Sequence, residues 1–337
     1  MLVGPHIDLL KKGCQVDQVE IKNGVIIGKK GELFLADGHH RPLDFLTGKA
    51  DVSDASVTNF QANLVARAEH AAGCGARHVH LVAPDKHTVL DESFPIANPI
   101  ILGDIYRQRV RAPFLFPTEK LRALEHGGYG FADTHWTWRG RLAAVEEVVL
   151  GLGLDEAMVR TQVAELAKLI RPRSGEVPGD LGKRFDPPIT QPNETLAAGW
   201  KVHKFDNHVT SGNDGRMNLL ISEHPNAKGR IVIFGDSFIA QALSLFTAFF
   251  KDILFCRTQY YHREIVVGAR PNYVLTENVE RYLSNVRPDE EAPPLLLMAM
   301  LRGNPVHYEK SDLDAFSAIL SGHGSRYKGL VEKLKAE

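Results

Sequence analysis

The chain has 337 residues, 44% hydrophobic and 24% charged, an ordinary globular composition with enough apolar mass for a large core. Lys and Arg number 40 against 41 Asp and Glu, a formal charge of -1, so no global field draws the chain to nucleic acid or to an anionic membrane. Cys14, Cys74 and Cys256 are too few and too scattered for a disulfide framework or a cysteine-rich metal site, and they fit a reducing compartment.

The N-terminal "MLVGPHIDLLKKG" has no basic region followed by a long apolar core, and "PPLLLMAML" falls short of the roughly 20 apolar residues of a membrane span. Without a signal peptide or anchor the protein is expected in the cytoplasm. Residues 19–38 alternate short β-prone runs with Asn-Gly and Lys-Gly turns, which predicts a small N-terminal β element, taken here over 19–45. "DASVTNFQANLVARAEHAAG" has helical spacing, with Phe60, Leu64, Val65 and Ala68 able to share a face and Gly73 as a stop. "RHVHLVAP" reads as a strand and "PTEKLRALEHGG" as a helix begun by Pro and ended by Gly. Two helices broken at Gly151-Leu152-Gly153 precede 171–200, which is rich in Pro and Gly, has little periodicity and is predicted to be an irregular loop or lid.

From residue 231 on, short β-branched runs alternate with helical ones. "IVIF", "DILFCRT" and "PNYVLTE" read as strands, "IAQALSLFTAFF" and "NVERYLSNV" as helices. That alternation predicts a parallel sheet covered on both sides, with ligands at the carboxyl ends of its strands. The whole chain, 1–337, is read as one such domain. "GDS" at 235–237 lies at one of those ends. A serine hydroxyl becomes a nucleophile only beside a base that is itself oriented, and a strand-to-helix turn adds free N–H groups able to hold an oxyanion. Asp and Ser also lead the N-cap preferences, so simple capping fits the same three residues.

Asp133 and His135, in "YGFADTHWTWRG", are candidates for the orienting acid and the base. Positions i and i+2 of an extended chain face one side, so the carboxylate can take the Nδ1 proton and leave Nε2 free. Asp133 could instead cap the helix that begins near Trp136.

These two segments, in this order, resemble the alginate O-acetyltransferase family. "GKKGELFLADG", "HLVAPDKHTVL", "GRMNLLISEHPNAKGRIVIFGDSF" and "PNYVLTENVERYL" resemble further blocks of its pattern, over residues 25 to 285. Glu32 stands where the family has Trp. The resemblance implies a three-layer α/β/α, flavodoxin-like fold of SGNH hydrolase type. It also implies Ser237 as nucleophile with His135 and Asp133 completing a triad, the acid and base preceding the serine in the chain. It implies sugar or polysaccharide O-acetylation through an acetyl-serine, in a family usually exported to the periplasm. A carbohydrate or polysaccharide is the expected acceptor; the donor is a membrane acetyl-donor protein or, in a cytosolic setting, acetyl-CoA. A carbohydrate acetylesterase and a non-catalytic polysaccharide-binding scaffold are the competing readings. No nucleic-acid partner, cofactor or metal is expected.

Weaker candidates surround these three. Gly235 permits a tight turn and close approach of a substrate. Arg257, at the end of "DILFC", could hold an acetyl oxygen or pair with Glu277. Lys86 follows a strand at the carboxyl edge, where it faces a cleft or solvent. Glu280 and Arg281 are read as an ion pair, Trp136 and Trp138 as core or as sugar platforms. "SGNDG" (211–215) reads as a turn. "DGHH" lacks a clear third ligand for zinc.

Overall fold

The computed structural model describes residues 19–210, 212 and 214–321. Of the "SGNDG" turn, Ser211 and Asn213 lie outside them. The predicted N-terminal element is a three-stranded antiparallel sheet of β1 (Ile21–Lys22), β2 (Val25–Ile27) and β3 (Leu33–Leu35). Asn23 (φ 54) and Gly24 (φ 71) both sit in the left-handed region, which a two-residue hairpin of right-handed twist demands.

Eight further strands follow: β4 (Arg77–Ala83), β5 (Ile170–Pro178), β6 (Thr190–Leu196), β7 (Val202–Asp206), β8 (Met217–Ser222), β9 (Arg230–Gly235), β10 (Asp252–Arg257) and β11 (Tyr273–Val279). Six of them form one sheet in the order β4-β11-β9-β10-β8-β7. It is mostly but not wholly parallel, a departure from the parallel sheet expected. β4, β11, β9 and β10 run parallel, whereas β8 is antiparallel to β10 and β7 to β8. The link 207–216 between β7 and β8 is too short for the crossover a parallel pair needs.

Alternate residues of the central strands feed different cores. Ile231 and Ile233 join the cluster under helices Trp138–Gly151 and Glu156–Leu169. Val232 and Phe234 join the cluster under Arg263–Ala269 and Lys310–Leu320. All four are fully buried, each contributing about 1.5–3 kcal/mol. "IVIF" is therefore apolar throughout because neither face of β9 meets water.

Four expectations are corrected. In helix Asp54–Gly73 the buried face runs through Phe60, Asn63, Leu64 and Arg67, while Val65 is 41% exposed and Ala68 faces solvent. Two polar residues can occupy that face because they are partnered: Arg67 makes two 2.7 Å bonds to Asp289, and Asn63 donates to the Arg287 carbonyl at 2.8 Å. "IAQALSLFTAFF" forms two short helices, Ser237–Ala240 and Leu243–Phe246, and after β11 the chain makes a 3-10 turn, Glu280–Ser284, instead of a helix. The segment 171–200 is irregular only in part, at 179–189 and 197–200, since β5 and β6 pair antiparallel as a two-stranded ribbon. Its periodicity is faint because β5 is largely exposed, and its prolines are tolerated because each ribbon strand has a free edge. Among the described residues no helix is long and apolar enough to cross a membrane.

Candidate active site

β9 ends at Gly235, and Asp236 turns the chain into helix Ser237–Ala240. Asp236, not Ser237, is the cap. Its Oδ1 accepts from the Phe238 N–H at 2.8 Å, and its Oδ2 accepts from the Val279 N–H at 2.8 Å, tying the turn to the end of β11. Its own N–H donates to Glu277 Oε2 at 2.9 Å. With capping assigned to its neighbour, the Ser237 hydroxyl is left for His135, whose Nε2 lies 2.9 Å away.

Gly235 is required by packing. A Cβ there would stand 2.5 Å from Ile239 Cγ2 and 2.7 Å from Glu277 Oε2, the atom that anchors Asp236. Gly235→Ala is therefore expected to destabilise the protein by about 1–3 kcal/mol, the usual cost of overpacking, read by urea unfolding. An unchanged midpoint would mean that the turn has room to give.

The loop 129–137 that carries the candidate base His135, here the base loop, is braced from three sides. Tyr129 and Trp136 pair as an isolated antiparallel bridge, Gly130 N–H donates to the His135 carbonyl at 3.2 Å, and Thr137 caps the following helix, so Asp133 does not. The Asp133–His135 relation is a bend, not the extended i, i+2 geometry expected. Asp133 Oδ1 lies 2.8 Å from His135 Nδ1 and also accepts the His135 main-chain N–H at 2.8 Å. Its Oδ2 accepts the Asp180 N–H at 3.2 Å. Burial alone would raise the Asp133 carboxyl; the bond and charge of His135, with the N–H groups of His135 and Asp180, outweigh it and hold the group well below the usual carboxylate range.

Lys86 neither lines the cleft nor faces water. It is 4% exposed, and its Nζ donates to the carbonyls of Leu33 (2.9 Å), Gly130 (2.6 Å) and Phe131 (2.9 Å), with that of Asp133 at 3.4 Å. The ammonium fastens the base loop to β3, which itself donates the Leu33 N–H to the Phe131 carbonyl at 3.0 Å.

A cavity of about 630 Å³ opens over Ser237 and His135 and reaches Arg257, His39, His40 and Tyr282. A second, also about 630 Å³, shares His39, His40, Gln259, Tyr282 and Arg302 with it, so the two adjoin along that wall. Arg257 is thus on the wall of the Ser237 cavity, as its strand-end position suggested. Glu280 and Arg281 do not pair with each other. Glu280 accepts from Asp85 N–H, Thr88 Oγ1 and Gly103 N–H, while Arg281 pairs with Asp85 and lies over the Phe238 ring at 5.5 Å. Phe238 in turn contacts the His135 ring at 4.9 Å. Trp136 is buried and donates to Tyr129 Oη at 2.9 Å, and the Trp138 ring is covered by Arg141 at 4.8 Å, so neither offers an open sugar platform. His39 and His40 of "DGHH" line both cavities, His40 stacked on Tyr282 at 4.1 Å.

Sequence reasoning missed Asp180, whose Oδ2 is 3.6 Å from His135 Nδ1. It follows Pro178-Gly179, an ordinary turn signal, and nothing in the local residues reveals that the ribbon returns to the base loop.

Fold and site together define a mixed α/β protein, with a mostly parallel six-stranded sheet and a hydrogen-bonded Asp–His–Ser chain at the carboxyl rim. No family model matches the chain, and no curated protein matches it in sequence. Solved structures resemble it in fold. A DHHW family protein from Eubacterium siraeum is similar at 11% identity, over 80% of this chain and 95% of that one, with a TM-score of 0.51. PatB1 of Bacillus cereus, solved with a sulfonyl adduct, is similar at 11% identity over 70% of this chain and 92% of that one, TM-score 0.52. The O-acetyltransferase domain of Pseudomonas putida AlgJ aligns at 16% identity over 80% and 96%, TM-score 0.47. At such identities the likeness to the first two establishes a common fold.

Proposed function

We propose that the protein is a sugar or polysaccharide O-acetyltransferase with one three-layer, SGNH hydrolase-like domain, working through an acetyl-serine. The observation that carries this reading is the chain Asp133 Oδ1–His135 Nδ1 at 2.8 Å and His135 Nε2–Ser237 Oγ at 2.9 Å, opening on a cavity. Ser237 Oγ attacks the acetyl carbonyl of an ester or thioester donor while His135 Nε2 takes its proton. Asp133, held ionised, accepts the Nδ1 proton's hydrogen bond and stabilises the imidazolium. The Ser237 main-chain N–H and the Arg257 guanidinium stabilise the tetrahedral oxyanion. Collapse expels the donor's oxygen or sulfur, which receives the proton from His135. A sugar hydroxyl then gives its proton to His135 and attacks the acetyl-serine carbonyl; the C–Oγ bond breaks, Ser237 Oγ takes the proton back from His135, and the O-acetyl sugar leaves. The donor is a membrane acetyl-donor protein or acetyl-CoA.

A second reading, acetylesterase, draws on the Asp180 side chain beside His135 being 41% exposed, which leaves water a path to the base.

The test is turnover of a chromogenic acetyl ester with and without sugar acceptors, with Ser237 followed by peptide mapping. Acetyl on Ser237, its transfer to the acceptor, and loss of turnover on labelling Ser237 with a sulfonyl fluoride are expected. The sulfonyl probe is chosen because an adduct of that class is recorded on PatB1. Acetate release indifferent to acceptor favours the esterase. Equal turnover by Ser237→Ala overturns both readings and leaves the scaffold alternative.

A further inference from the structure

We propose that Asp180 is a second carboxylate partner of the His135 imidazole, a positioning residue that shares with Asp133 the orientation and charge compensation of the ring. This rests on the reading of His135 as the base.

Three observations converge on it. The two carboxylates sit on the same ring nitrogen, Asp133 Oδ1 at 2.8 Å and Asp180 Oδ2 at 3.6 Å. Thr134 bridges the longer gap: its hydroxyl donates to Asp180 Oδ2, and its Oγ1 stands 3.3 Å from His135 Nδ1, so that an oxygen lone pair is turned to the ring N–H. The carboxylates also exchange main-chain donors crosswise. Asp180 Oδ1 accepts the Thr134 N–H at 2.7 Å, and Asp133 Oδ2 accepts the Asp180 N–H at 3.2 Å. Each acid therefore holds the other's segment in place.

The ribbon is built to deliver Asp180 there. The N–H groups of Leu181 and Gly182 both donate to the Ala132 carbonyl, at 3.2 and 2.9 Å, and Ala132 N–H donates to Gln191 Oε1 at 2.7 Å. At Gly179 a Cβ would fall 2.0 Å from the Ala132 oxygen, an approach only glycine permits. The predicted lid is in this respect a strut of the base loop.

Two carboxylates this close repel unless cations compensate them. Arg141, on helix Trp138–Gly151, acts on Asp133, and Lys86, behind the loop, acts on both below about pH 7, where it carries its proton. On the open side the ring faces Ser237, with Arg184 and Arg257 on the cavity wall. When His135 takes the Ser237 proton, the ring's new positive charge meets two anions rather than one. Asp180 is partly solvated, so its share is smaller than that of Asp133.

Asp180→Asn tests this, because the amide oxygen can still accept the Thr134 N–H while the charge is gone. With an acetyl ester as substrate, kcat is expected to fall about tenfold with KM unchanged, a loss confined to the step that charges the ring. Without the anion the charged ring is harder to form, so the acid limb of the pH–rate profile moves to lower pH. Asp180→Glu restores much of both. A uniform loss at every pH with the limb unmoved, or no rescue by Glu, overturns the proposal. The low-field Nδ1–H proton resonance of His135, read in Ser237→Ala with and without Asp180→Asn, needs no turnover. A displaced resonance supports the second partner and an unmoved one refutes it. Failure of the acyl-transfer reading shows separately, as equal turnover by wild type and Ser237→Ala.

Discussion

Ser237→Ala is expected to lower kcat on an acetyl ester by about 10⁴–10⁶-fold while leaving stability within about 0.5 kcal/mol. The two halves of that expectation come from one local arrangement. The cap of helix Ser237–Ala240 is Asp236, so deleting the serine hydroxyl removes no helix-terminal bond. What it removes is the 2.9 Å partner of His135 Nε2. On the proposed mechanism His135→Ala is expected to cost about as much, and the double variant little more than either, since a nucleophile and its base act as one unit and the residual rate then belongs to oxyanion donors and binding. Additive losses would mean that the two side chains do separate jobs. A destabilised Ser237→Ala, measured by urea unfolding, would mean that the hydroxyl is structural after all and that its contact with the imidazole is a packing accident.

The three residues that meet here were legible because their sequence signals are local. Gly-Asp-Ser after a β-branched run marks a strand end followed by a helix start, and Asp-Thr-His puts an acid and an imidazole within one turn of chain. The helices on either side of Gly153 were legible too, since the break is a left-handed glycine (φ 76) followed by the Asp155 cap. Strand direction was not, because a buried apolar run reads the same in either sense; the antiparallel β7 and β8 carry no mark of it. Nor was the ribbon, whose exposed strands have no apolar alternation to betray them. Harder still were pairings made across the chain. Arg281 meets Asp85 rather than its neighbour Glu280, and Asp180 meets His135 from 45 positions later in sequence, contacts that depend on where the sheet brings remote loops together.

Lys86 is the sharpest case of that dependence, and its removal carries the second large effect. Lys86→Met keeps the length and apolar stem of the side chain but strips the donors from the Leu33, Gly130 and Phe131 carbonyls. Left short of a partner in a buried site, they are expected to cost about 2–4 kcal/mol in urea unfolding at neutral pH. Activity should fall further than stability alone explains, because two of those carbonyls, Gly130 and Phe131, belong to the loop that carries Asp133 and His135. The wild type should also report the lysine through pH. Burial lowers its ammonium from an ordinary 10.5 to about 7, with the carboxylates of Glu32, Asp133 and Asp180 acting in the opposite sense. Between those two values the unfolded chain holds a proton that the folded chain has released, so this residue makes stability rise with pH across the interval and flat below it. Lys86→Met should lose that slope. If wild type and variant run parallel from pH 6 to about 10, the ammonium keeps its proton in the folded state, and the carbonyl cage, not burial, governs its charge.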